Sequence, residues 1–424
     1  MPRFFYGYVI LALCFLNMIF VRGVGGSFSV FYVALLEEFH WSHGVGASIV
    51  SINSLVYALA SPLVGWAFDR LGPRVLMPLG GLLIGCGLLT SGLSHSLWQL
   101  YLFYGFLVAM GQGALGFVSH TALISHWFVR RRGTAIGLSS MGQGCGMLLI
   151  VPLAQLLISR TGWRSAFMLL GALVLCVLTP ANALLQRRSP QDMGQLPDGE
   201  IPSGPGEIGP RHQGRTGGRR DWTPKSALRS FPFWSITAGH LALGTGLFII
   251  YTHLVAYLIH EGFDRLFAAF ALGLTGFIRI GGTSLWGYVA DRLGSDKAYG
   301  ISTLITLAGV SCLGLVGSGS PAWLVYASII LYGIGHSAGN PIYGVVISDI
   351  FGGSHVGTIF GFLEIGFGFG MALGAWLGGA IFDLTGSYRW AFAVGLATFT
   401  ISFLAVRASV RWQRGETAKA RAPR

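Results

Sequence analysis

The chain has 424 residues, of which 53% are hydrophobic and 10% charged, with 64 glycines and a mean hydropathy of +0.63. A water-soluble protein of this length needs far more polar surface, so the composition excludes a soluble globular fold and indicates a membrane protein surrounded by lipid. The net charge of +12 does not mark a nucleic-acid binder, because the basic residues stand in short clusters between apolar runs, the pattern that orients membrane helices.

Apolar segments of about 20 residues, the length that crosses a ~30 Å hydrocarbon core, recur along the chain. The run after Arg3 is too long for a signal peptide and has no small-residue cleavage site, so it is expected to stay as the first span. Helices are predicted at 6–36, 44–68, 74–93, 97–127, 133–158 and 164–186. A second set is predicted at 233–260, 265–290, 298–317, 321–350, 356–382 and 388–409, which makes an all-α protein of 12 transmembrane helices. Between the sets, residues 187–232 are rich in Pro, Gly and charge and read as a polar linker; residues 411–424 read as a tail. The expected domains are thus a six-helix bundle over 1–186 and another over 233–410.

Arginines gather at 69–74, at Arg130 to Arg132, in the linker (Arg187, Arg188, Arg219, Arg220) and in the tail, all on one side of the membrane. The positive-inside rule makes that side the cytoplasm, with both termini inside, although Arg160, Arg164 and Arg389 dilute the contrast. The expected location is the plasma (inner) membrane. Cys14, Cys86, Cys145, Cys176 and Cys312 lie in apolar runs without C-x-x-C spacing and give neither a disulfide framework nor a metal site. No nucleophile stands at a recognisable spacing from a base and no phosphate loop is present, so neither an enzyme nor a cofactor is expected.

The halves echo each other. "GWAFDRLGPR" at 65–74 returns as "GYVADRLGSD" at 287–296, a shift of 222 from Asp69 to Asp291, and "GWRSAF" returns as "SYRWAF", a shift of 225 from Arg164 to Arg389. A nearly constant shift over six helices implies duplication, and duplicated bundles are a common way to build a site between two rocking halves. The repeated G-x-x-x-D-R-x-G is similar to that of the major facilitator superfamily. "FYGYVI", "EFHWSHG", "HWFVRRRGTAIGLSSMGQGCG" and "IFDLTGSY" resemble bacterial members of its monocarboxylate transporter branch and the anion-exchanging relatives of that branch. The sequence also departs from these patterns. The fourth-helix arginine of many proton-coupled members is absent, and so is the fifth-helix G-x-x-x-G-P of drug antiporters. The eighth-helix arginine, Arg279, stands one turn from its usual place, now Thr283, and the acidic residue common one turn before it is Thr275.

Arg22 in "FVRGVGGSF" and Arg279 both lie near mid-membrane by helix rise, one in each half. The resemblance implies that both face a shared central space. Neither has an acidic residue one turn away, so the pair wants an anionic ligand, since guanidinium binds carboxylate through a planar two-bond fork. The competing reading is that Glu364 or helix-end carbonyls neutralise one of them. His253 occupies a place where the branch commonly shows a histidine near substrate; Tyr332 and His336 lie mid-membrane on the tenth helix, while His120 and His240 read as packing histidines. Thr275 and Thr283 beside Arg279, Tyr332 and His336, and Gln112 and Gln143 are further candidate ligand contacts, the glutamines reading equally as packing residues. The candidate proton carriers are Glu364, His253 and His336. Glu364 is also a candidate partner for a loop arginine in the gate. Asp69, Arg70 and Arg74 with Asp291 and Arg292 read as gates, the aspartates capping a neighbouring helix and the arginines bridging to the other half. The glycines at 366, 368, 370 and 374 read as close-packing positions.

The expected function is secondary transport of a small organic anion, a monocarboxylate first, with proton symport and a monomer as the working unit. Anion exchange, efflux of a larger amphipath and a non-transporting receptor are the alternatives.

Overall fold

The computed structural model describes residues 4–199, 222–352 and 355–421, and every regular element among them is helical. Helices α1 (Gly7–Phe39), α2 (His43–Leu71) and α3 (Pro73–Gly92) follow the first three predicted spans. The fourth was expected to be continuous and is not. It comprises α4 (Leu97–Leu100), a π-helical stretch Tyr101–Val108, α5 (Ala109–Ala114) and, after a break at Leu115 and Gly116, α6 (Phe117–Trp127). Next, α7 (Arg132–Leu173) turns at Gly162 and continues through a π-helical Val174–Leu178 into α8 (Thr179–Leu185). Among the described residues of the linker, the regular elements are two 3-10 turns (Pro190–Met193 and Pro197–Gly199) and α9 (Pro224–Leu228); Arg219 and Arg220 lie outside the described residues. Beyond it stand α10 (Phe231–His260), α11 (Arg265–Leu293), α12 (Ser295–Gly314), α13 (Ala322–His336), α14 (Gly339–Phe351), α15 (Val356–Thr385) and α16 (Tyr388–Arg421). The tail expected from 411 instead continues α16 as helix, because "RWQRGETAKAR" is rich in good helix formers.

Nine helical segments among the described residues are long and apolar enough to cross a membrane. One of them, Arg132–Leu185, has 54 residues, about 81 Å at ~1.5 Å per residue, too long for one crossing; its turn at Gly162 divides it.

The duplication is visible in local geometry. The Leu-Gly of each D-R-L-G stretch ends its helix in the same way, Gly72 at φ 73° and ψ 167° and Gly294 at φ 88° and ψ 148°, a region essentially closed to any side chain. The break at Leu115 and Gly116 has its counterpart at Ser337 and Ala338, 222 residues on. Side chains satisfy the backbone groups such breaks release. His120 Nδ1 donates to the Gly116 carbonyl (2.8 Å), leaving Nε2 to accept from Asn17 Nδ2 (3.1 Å), and Asn17 and Asn182 exchange two further bonds (3.0 and 2.7 Å). This buried cluster ties α1, α6 and α8 together, in keeping with a packing role for His120. His240 stacks on Tyr343 with ring centroids 4.0 Å apart, also as packing.

Lipid tails are as apolar as leucine, so helices in a bilayer gain by close approach over small residues rather than by leaving water. Gly142 and Gly146 of α7 pack on the carbonyls of Phe15 and Ile19 in α1; Gly366 and Gly370 of α15 pack on Thr237 and Leu241 in α10. Gly374 rests on Thr245, whereas Gly368 meets Ala58 of α2 and so belongs to the seam between the halves. A methyl at position 146 would overlap the Ile19 carbonyl oxygen, which backbone cannot yield cheaply. Gly146→Ala is therefore expected to cost ~1–3 kcal/mol of stability, read as a lowered melting temperature in detergent, with Gly370→Ala behaving alike.

Contacts between the halves concentrate on the side opposite the chain termini. Glu37 pairs with Arg265 (2.7 Å), Asp383 accepts from the backbone of His43 and Gly44, and Ser51 Oγ donates to the Ala372 carbonyl (2.7 Å). On the terminus side, a Cβ built at Gly65, Gly137, Gly281, Gly287, Gly357 or Gly361 meets open space. The molecule is sealed on the far face and open toward its termini.

Candidate functional site

Arg279 stands 14 residues from each end of α11, about 21 Å either way, and Arg22 stands 15 and 17 residues from the ends of α1, about 22 and 26 Å. Both are half-buried. Arg22 opens on a cavity lined by Gly25, Gly26 and Ser29 of α1 and by Tyr251 and Thr252 of α10, with apolar walls from Met147 and Phe248. The glycines are what make the room, for a Cβ at Gly25 would sit 3.3 Å from Gln112 Nε2. The two guanidiniums lie close enough to repel each other, and neither forms an ion pair with a described residue. Arg22 Nε is buried without a hydrogen-bond partner. Like charges held together in a low-dielectric space are costly unless an anion comes between them.

The tenth-helix pair arrives at the same place. His336 Nδ1 donates to the Tyr332 carbonyl (2.7 Å), so Nε2 accepts from Tyr251 O–H (2.7 Å), and the ring stacks on Tyr332. Tyr332 Oη is buried with no partner and lies within electrostatic reach of Arg279, as His336 does of both arginines. With both nitrogens engaged, His336 holds a proton place for neither donor nor acceptor beyond these bonds. Tyr251 escaped the sequence reading, though two hydroxyls and a histidine in the apolar run "FIIYTHL" are the signal that marks it. Tyr57 of α2 escaped as well; it stands within electrostatic reach of both Arg22 and Glu364.

Other expected site residues lie elsewhere or face inward. Thr275 is buried and donates to the Leu272 carbonyl (2.6 Å), and Thr283 donates to the Arg279 carbonyl (2.9 Å), so both hydroxyls serve their own helix. Gln112 is buried beside Gly25, at the back of the arginine, and Gln143 is half-buried on α7. His253 sits in the far-face seal rather than in the cavity. Its Nε2 donates to the Ala375 carbonyl (2.8 Å), and its ring lies between Tyr32 and Tyr388, each 5.4 Å away. Glu364 is half-buried and, among the described residues, has no ion pair, so it neutralises neither cavity arginine by direct contact and is not paired with a loop arginine.

The loop arginines do not bridge the halves in this structure. Arg70 lies over the ring of Trp66 (4.8 Å) and Arg292 over that of Tyr288 (4.6 Å), the same cation–π stack one turn back on each helix. That is the geometry expected where the terminus face stands open. Arg74 and Asp291 are exposed, and the side chain of Asp69 lies outside the described residues.

A cavity at mid-depth that carries the Arg22 guanidinium, with that of Arg279 in electrostatic reach, is suited to binding an anion. The chain is 31% identical over 389 residues to monocarboxylate transporter 13 of Bos taurus, covering 92% of this chain and 86% of that one. It is 28% identical over 400 residues to monocarboxylate transporter 11 of Homo sapiens, covering 91% and 79%. Its fold matches a crystal structure of a bacterial homologue of the human lysosomal transporter Spinster, in an inward-facing and unoccupied conformation, with a TM-score of 0.70, 18% identity and coverage of 97% and 99%. A family model for the Major Facilitator Superfamily matches residues 11–295 and 280–424. The chain therefore belongs to the major facilitator superfamily and is a membrane transporter, not an enzyme.

Proposed function

We propose that this transporter moves a small organic anion by alternating access between two six-helix halves, 1–186 and 233–410, with twelve crossings in all and both termini in the cytoplasm. The observation that carries the reading is that Arg22 lines a mid-depth cavity without an ion-pair partner among the described residues, while Arg279 of the other half stands within electrostatic reach of it. A carboxylate held between the two forks relieves their repulsion and joins the halves. The hydroxyls of Tyr251 and Ser29 at the cavity wall are already donated to His336 and to the Gly26 carbonyl, so the spare donor is Tyr332, buried without a partner beside Arg279. The names of the relatives make a monocarboxylate the first substrate class to test. The inner membrane is the expected location and a monomer the expected unit.

Proton symport is the favoured coupling, with Glu364 as the carrier. His253 and His336 each spend a ring proton on a backbone carbonyl, which leaves the unpaired Glu364 as the better placed of the three candidates. The departure of the eighth helix from the branch pattern, Thr275 in place of an acid, favours anion exchange as the second reading. Uptake of labelled carboxylates into proteoliposomes separates them. Accumulation driven by an inward proton gradient, with no anion inside, is expected; uptake confined to preloaded vesicles establishes exchange, and no uptake of any carboxylate overturns the anion reading.

A further inference from the structure

The far-face seal has one contact of a different kind from the rest. Asp383 of α15 accepts from the backbone N–H of His43 and of Gly44, each at 2.7 Å, across the boundary between the halves. Those amides open α2, and the first N–H groups of a helix have no partner within it and carry its positive dipole end. The carboxylate thus caps a helix belonging to the other half. Beside it, Tyr388 Oη lies 2.7 Å from His43 Nδ1 and Tyr32 donates to the His43 carbonyl (3.1 Å). The Glu37–Arg265 pair is well exposed on both sides, and such pairs contribute little.

The placement of Asp383 also repeats the logic of the opposite face. It stands two residues before Thr385, the end of α15, as Asp69 stands two residues before Leu71, the end of α2. The two helices run antiparallel along the seam, held by Ser51 on Ala372 and by Ala58 against Gly368. The end of each therefore meets the start of the other, at opposite faces. No acidic residue lies in the first turn of α15, so the helix brings no carboxylate of its own to that end.

We infer that Asp383 is a positioning residue that latches the outer gate, the counterpart of the Asp69 gate at the inner face, so that α2 and α15 each cap the other in alternate states. The inference rests on the transport reading for its meaning but not for its measurement. Asp383 keeps contact with water, so releasing the latch exchanges its two backbone bonds for solvent without burying a bare charge. A latch of that kind holds one state without trapping it.

The test is accessibility from the outer face. Ala47, one turn into α2, is fully buried, and a cysteine placed there by Ala47→Cys reports opening through its reaction with a membrane-impermeant maleimide, measured against the parent protein. Asp383→Asn is expected to raise the labelling rate severalfold and Asp69→Asn to lower it. Asp383→Ser, which removes the carboxylate without adding bulk, is the second variant and is expected to match Asp383→Asn. Labelling no faster than in the Asp383 parent overturns the inference. So does a shift in the same direction for both aspartates, which marks general loosening. Since no substrate is present, failure here is distinct from failure of the anion reading.

Discussion

Arg279→Lys is expected to lower kcat/KM for uptake ~10–100-fold while the protein still reaches the membrane with an unchanged melting temperature. Lysine keeps the charge, so long-range attraction for the anion survives; what it loses is the planar fork that donates two parallel bonds to a carboxylate. One charge-assisted hydrogen bond contributes ~1.5–3 kcal/mol, and each ~1.4 kcal/mol is tenfold. Arg279→Gln removes the charge and both bonds and is expected to cost ~10²–10⁴-fold by the same arithmetic. Arg22→Lys is expected to fall in the lysine range, because Arg22 lines the cavity and its Nε is a buried donor with no partner among the described residues. Concentration-dependent uptake in proteoliposomes reads all three. Wild-type kinetics in Arg279→Lys would remove that residue from the substrate shell and leave Arg22 as the anion's sole guanidinium contact.

The features legible in the sequence were those with a period or a repeat. Span positions followed from apolar length, and the two D-R-L-G helix ends followed from a motif whose glycine has a backbone that only glycine adopts. Arg22 was legible because a permanent charge in an apolar run is costly and so rarely accidental. The interruptions at Leu115 and Ser337 are not legible, since "GQGALGF" and "GIGHSAGN" hold neither proline nor a permanent charge to mark a break, and the bond that fixes His120 against the Gly116 carbonyl depends on Asn17, 103 residues away. His253 was assigned to the cavity by resemblance, yet it lies two residues past Tyr251 on α10. In a helix two residues turn a side chain by about 200°, so Tyr251 faces the cavity and His253 faces Ala375 and the seal. Tyr57 illustrates the other limit. It is one tyrosine among 14, and only the packing of α2 against the cavity sets it between Arg22 and Glu364.

Glu364→Gln is expected to abolish uphill accumulation driven by a proton gradient while sparing exchange of labelled for unlabelled anion. With one proton moving alongside one monovalent anion, each pH unit of gradient supports about tenfold accumulation, since a unit is worth ~1.36 kcal/mol. Glutamine has the shape and the neutrality of the protonated acid, so the variant is fixed in the loaded form, able to carry the anion across but unable to load or release the proton that gives the cycle its direction. Position supports this role. Glu364 lies seven residues beyond Gly357, about 10 Å along α15 from the open face, where water can deliver and remove a proton. Tyr57 stands within electrostatic reach of Glu364 on one side and of Arg22 on the other, so the coupling asked of Glu364 is that its protonation, passed on through Tyr57, strengthens the arginines' demand for an anion. By reciprocity the bound anion then raises the affinity for the proton, which is the coupling that symport requires. Retained gradient-driven accumulation in Glu364→Gln would move the proton to another group; loss of exchange as well would make Glu364 part of the anion site or of the gate instead.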